Sequence, residues 1–112
     1  MRLLLADGSV ACERCLVAKT PLARMKGLLG RRELLPGDGL LLRPASLIHT
    51  GFMRFPIDAV FLDRELVVVG IAAQLEPWRI AGRRGARAVL ELPAGECERR
   101  GLSPGSRLEL VD

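Results

Sequence analysis

The sequence predicts a mainly β fold, a compact jelly-roll-like sandwich or barrel of about seven or eight short strands with one helix packed across it. Three observations carry this expectation. Short apolar runs are bounded by Gly, Pro, Asp and Ser, as strands are by turns. A helical period is sustained over two turns only once, after Thr20. The 112 residues, 49% hydrophobic and 27% charged, suffice for one buried core, so a single domain is expected over 1–112.

Taken in order, Arg2 to Ala6 and Val10 to Ala18 read as a hairpin, with Asp7-Gly8 supplying the tight turn. Thr20 is suited to cap a helix and Pro21 to open it, and Leu22, Met25, Leu28 and Leu29 then fall on one face. The spacing places this helix at Pro21 to Leu29, ended by Gly30. Leu40 to Leu42 and Leu47 to Thr50 read as short strands. Ile57 to Leu62 and Leu66 to Ala73 read as a second hairpin, apolar enough for burial on both faces. Residues Pro77 to Ala86 read as a Gly- and Arg-rich loop, followed by a strand at Arg87 to Leu92. A short helix at Gly95 to Arg100, closed by Gly101, leads to a last strand at Arg107 to Val111.

No apolar run approaches the roughly 18 residues that cross a bilayer. The opening Met1 to Ala6 run breaks at Asp7-Gly8, too early for a signal-peptide core, so a cytoplasmic protein without membrane insertion is expected. The net charge of +4 permits anionic partners without requiring them. Three cysteines, an odd number, argue against a disulfide framework.

Two long segments, Thr20-Pro21-Leu22-Ala23-Arg24-Met25-Lys26-Gly27-Leu28-Leu29-Gly30-Arg31 and Ile48-His49-Thr50-Gly51-Phe52-Met53-Arg54-Phe55-Pro56-Ile57-Asp58-Ala59-Val60-Phe61-Leu62-Asp63, carry a resemblance. Together with Val89-Leu90-Glu91-Leu92-Pro93-Ala94-Gly95 and the later Gly101-Leu102, Pro104-Gly105 and Leu108, they resemble the bacterial and archaeal family Domain of Unknown Function 192. The resemblance covers nearly the whole chain. It implies a compact, mainly β, jelly-roll-like fold and no particular reaction. Most relatives read Phe-Gly where this chain has Gly51-Phe52, and a cysteine pair at Cys12 and Cys15 lies outside the family pattern.

The candidate ligand-binding residues are Arg24, His49, Thr50, Met53 and Asp58, expected where the helix meets the His49 to Asp58 segment. The leading expectation is a binding or accessory domain for a small ligand or a protein partner, with no cofactor. Met53, Phe55 and Phe61 would floor the site, and Arg24 could instead form a structural pair with Asp58. Two alternatives stay open. His49, the only histidine, and Asp58 could form an acid–base pair in a hydrolase-like enzyme. Trp78 with Arg79, Arg83, Arg84 and Arg87 could hold single-stranded nucleic acid, although a lone aromatic is a thin platform and makes this the weaker reading. Cys12, Cys15, Cys97 and His49 have the elements of a zinc set, but residues three apart on one strand face opposite ways, so no metal site is expected there.

Overall fold

A computed structural model describes residues 1–20, 23, 28 and 31–112. Among these, ten strands and one short helix are found: β1 (Arg2–Leu5), β2 (Val10–Cys12), β3 (Arg14–Ala18), β4 (Asp38–Leu42), β5 (Leu47–His49), β6 (Ile57–Leu62), β7 (Val68–Leu75), β8 (Ile80–Gly82), β9 (Ala88–Pro93), α1 (Glu96–Arg100) and β10 (Leu108–Val111). The mainly β class holds, with more and shorter strands than the sequence suggested. They form a five-stranded sheet ordered β3-β4-β9-β6-β7, a three-stranded sheet β10-β1-β2 and a two-stranded ribbon β5-β8, none closed into a barrel.

The five-stranded sheet is the middle layer. Every residue of its neighbouring strands β6 and β9 is buried, which explains why their sequences run apolar without alternation. Val60, Leu62, Leu90 and Leu92 pack on one side with Leu3, Ala11 and Leu108 of the three-stranded sheet. Ile57, Ala59, Phe61 and Val89 pack on the other with Leu28, Leu34 and Ile48. Strand alternation thus divides one sheet between two cores.

Local sequence fixes the corners. At Asp7-Gly8 the expected turn forms, with Gly8 at φ 89° and the Asp7 carboxylate accepting from the Ser9 N–H and hydroxyl. The expected single strand Val10 to Ala18 is corrected: it bends at Glu13, where β2 ends in one sheet and β3 begins in the other, running parallel to β4. Ion pairing pins this corner, Arg100 of α1 reaching Glu13 at 2.8 Å and Arg14 reaching Asp38 at 2.6 Å. The Pro77 to Ala86 stretch is also corrected. Ile80, Ala81 and Gly82 pair with His49, Ile48 and Leu47 and turn part of the expected loop into β8.

The helix expected at Pro21 to Leu29 lies outside the described residues but for Ala23 and Leu28. The Thr20 hydroxyl does accept the Ala23 N–H at 3.1 Å, as a helix cap would. Among the described residues no helix is long and apolar enough to cross a membrane.

Candidate functional site

Asp58 is 1% exposed on β6, and its carboxylate faces backbone rather than solvent. Oδ1 accepts the Gln74 N–H at 2.8 Å; Oδ2 accepts those of Gly95 at 3.1 Å and Cys97 at 3.0 Å. Gly95, at φ 90°, precedes α1 and has no side chain with which to cap it, so Asp58 does so from 37 residues away. Burial, aided by the negative carboxylate beside it, pushes the neighbouring Cys97 thiol up.

Thr50 is fully buried and acts as a clasp. Its hydroxyl donates to the Glu76 carbonyl at 2.6 Å and accepts the Arg79 N–H at 2.8 Å, while its carbonyl accepts the N–H groups of Trp78 and Met53. These bonds fasten the turn carrying Trp78 to the end of β5. Met53 is buried in the second core with Phe61, and Phe55 packs against it, so the residues expected to floor a depression are core residues. Arg24 lies outside the described residues.

His49 is exposed at the end of β5, and its Nδ1 accepts the Gly51 N–H at 3.2 Å. Among the described residues it shares no hydrogen bond with Asp58. What surrounds it is apolar and open. Ile80, its cross-strand partner, is 74% exposed, and Leu47 on the same face of the ribbon is 64% exposed. Beside them Phe52 (72% exposed) and Trp78 (63%) pack edge to face, ring centroids 4.6 Å apart. Both aromatics sit at left-handed backbone angles, φ 65° and 66°, which bulky residues seldom adopt. Two exposed aromatics in contact are thus held on strained backbone at the surface.

Arg54, Arg79, Arg83, Arg84 and Arg87 are exposed, and none is in an ion pair among the described residues. Elsewhere the arginines of α1 are engaged with Glu96 and Glu13. Among the described residues Arg2, Arg31, Arg32, Arg43 and Arg64 also form no ion pair, so positive charge is spread along the chain, with four of the arginines close together in sequence after Trp78. The sequence pointed to His49 and Trp78 but not to Leu47, Phe52 and Ile80. The displaced Gly51-Phe52 pair was the available signal, since it moves an aromatic ring onto a turn.

No group of three or more His, Cys, Asp or Glu among the described residues could hold a metal ion. The alternation argument about Cys12 and Cys15 is nonetheless corrected. The bend at Glu13 brings both into one core, where they interact through their side chains.

The family model DUF192, described as an uncharacterized ACR, matches residues 4–110. UPF0127 proteins of Pyrococcus furiosus and Pyrococcus abyssi are 38% identical over 63 residues and 36% identical over 67 residues. These matches cover 55% and 59% of the chain, and it spans only about half the length of each relative, 53% and 56%. A crystal structure of a protein of unknown function from Novosphingobium aromaticivorans superposes with a TM-score of 0.86 at 27% identity, covering 98% of this chain and 84% of that one. Another, from Sinorhizobium meliloti and provisionally described as a transcription regulator, gives 0.83 at 30% identity, covering 96% and 89%.

Proposed function

We propose, for a chain that belongs to the Domain of Unknown Function 192 family, a non-catalytic binding domain whose contact surface is the outer face of the β5-β8 ribbon. The observation that carries this reading is the exposed edge-to-face pair of Phe52 and Trp78 on left-handed backbone, continued by Ile80 and Leu47 around His49. Large apolar side chains grouped in water are a recurrent mark of a protein contact site, and aromatic residues dominate the energy of such contacts. The unpaired arginines alongside select the partner's charge. The proposed partner is a protein segment with apolar side chains flanked by Asp or Glu. Three free thiols, all buried, support a reducing compartment such as the cytoplasm as its place of work.

The hydrolase reading has little support. His49 turns outward, and all three hydrogen bonds described for the Asp58 carboxylate come from backbone N–H groups. The nucleic-acid reading keeps the arginines and the Sinorhizobium relative's description in its favour. Aliphatic Leu47 and Ile80 in the same strip favour protein.

Trp78 is the only tryptophan, so its fluorescence reports on the surface directly. Titration with a synthetic Leu- and Phe-containing peptide flanked by glutamates should blue-shift the emission saturably, and Ile80→Asp should abolish the shift while leaving the circular dichroism unchanged. A salt-sensitive response to oligo-dT with none to the peptide overturns the protein reading in favour of nucleic acid.

A further inference from the structure

The bend at Glu13 has placed two thiols together, away from the ribbon. Cys12 ends β2 and Cys15 lies on β3, and both are buried in the core between the two larger sheets. Cys15 is in register with Gly39 on β4. The Cys12 sulfur rests against that same glycine, where a Cβ would come within 2.7 Å of it. The missing side chain of Gly39 is thus the space that the Cys12 Sγ fills, beside its partner. A cavity of about 290 Å³, with Met1, Arg14, Cys15, Asp38 and Gly39 in its walls, reaches Cys15, and the Cys12 sulfur lies against the Gly39 that helps to line it. Cys97, the third cysteine, lies at the start of α1 in the same core, its N–H donating to Asp58.

We propose that Cys12 and Cys15 are a reversible two-electron redox site, oxidised to an intramolecular disulfide by a small hydroperoxide that enters through this cavity. The thiolate of one of the pair attacks one peroxide oxygen, the O–O bond breaks, and the sulfur becomes a sulfenic acid. The other oxygen leaves and takes a proton, as water from hydrogen peroxide or as an alcohol from an organic hydroperoxide. The second sulfur then attacks the first. An S–S bond forms, the S–O bond breaks, and the departing hydroxide takes the second thiol's proton to leave as water. Two thiols have lost two electrons and the hydroperoxide has gained them. A dithiol reductant reverses the step by exchange.

The contact between the two thiols holds Cys12 below the ordinary thiol value and, with burial, pushes Cys15 up. The disulfide would staple the corner where the chain passes between the two larger sheets.

The test uses the wild-type chain, reduced, desalted and treated with hydrogen peroxide. After denaturation, alkylatable thiols should fall from three to one, with Cys97 alone labelled. Trypsin cuts after Arg14, so the disulfide should join peptide 3–14 to peptide 15–19, and dithiothreitol should restore all three thiols. A mixture of isotopically heavy and light protein should give no heavy–light joined peptides. Cys97→Ser should behave alike, falling from two thiols to none. Retention of three thiols, joined peptides between chains, or either Cys12 or Cys15 driven to sulfinic acid while the other stays alkylatable would each overturn the proposal.

Discussion

At the Asp58 junction a buried carboxylate takes up three backbone N–H groups from two separate stretches of chain, whereas around His49 four large apolar side chains stand open to water. The two regions flank the Phe55-Pro56 turn. One spends a charged group on holding β6, β7 and α1 together, and the other leaves apolar surface uncovered on strained backbone. A polar residue in an apolar run is therefore a weak guide to function on its own; its partners decide. Asp58 is matched and structural, while the ribbon is unmatched and available.

The comparison breaks if Asp58 can be removed cheaply. Asp58→Ala should destabilise the protein by about 4 kcal/mol in urea unfolding followed by circular dichroism, because three backbone donors, one buried and two part-buried, lose their acceptor together. Asp58→Asn, which keeps one acceptor oxygen, should lose about half as much. Peptide binding at the ribbon, measured where each variant is still folded, should be unchanged.

Glu91 sharpens the rule. It lies on β9, next to β6, is 3% exposed, and its Oε1 has no hydrogen-bond partner among the described residues. Burial pushes its carboxyl up to about 7. Because the folded value lies above the unfolded one, the folded state binds this proton more tightly. Stability from Glu91 is fully present below the ordinary carboxylate range and falls as the pH rises toward 7. Glu91→Gln should flatten that part of the pH–stability curve, and above pH 7 it should be more stable than the parent by about 2 kcal/mol. A curve that still falls in the variant would assign the slope to another group.

The sequence made some of this legible and hid the rest for identifiable reasons. β6 and β9 could be read because burial on both faces leaves an unbroken apolar run, and the Asp7-Gly8 turn because its geometry is set by neighbouring residues. The parallel pairing of β3 with β4 could not, since it joins residues more than twenty positions apart with no local signature. The same distance hid the true partners of Asp58, of which Gly95 and Cys97 arrive with α1. The meeting of Cys12 and Cys15 was hidden by a change of sheet at Glu13, which strand alternation alone does not anticipate. His49 and Trp78 stood out by being single, but their apolar companions became visible only when β8 paired with β5.

On the open side of the comparison, substitutions should leave stability almost untouched. Leu47→Ser and Ile80→Ser remove side chains already 64% and 74% exposed. Each should shift the unfolding free energy by no more than about 0.5 kcal/mol. Loss of the peptide-induced shift in Trp78 emission would then separate contact from folding; a large loss of stability would make the strip part of the core after all.

The smallest expected effect is also the most discriminating. The left-handed φ of 65° found at Phe52 is the conformation that glycine takes without steric cost. A bulky residue at that angle carries a strain of about 1 kcal/mol. The exposed contact of its ring with Trp78 returns about 0.5 kcal/mol, toward the low end for such pairs. Phe52→Gly should therefore fold as stably as the parent or slightly more so. Phe52→Ala keeps the strained angle and loses the ring, and should be less stable than Phe52→Gly by about 1 kcal/mol. That ordering, measured by paired thermal unfolding, would show that the phenylalanine is held at a cost to the fold. Binding of the acidic peptide should weaken in both variants alike, because both remove the same ring from beside Trp78. If Phe52→Gly proved clearly destabilising, the ring would belong to the scaffold, and the ribbon would lose its contrast with the Asp58 junction.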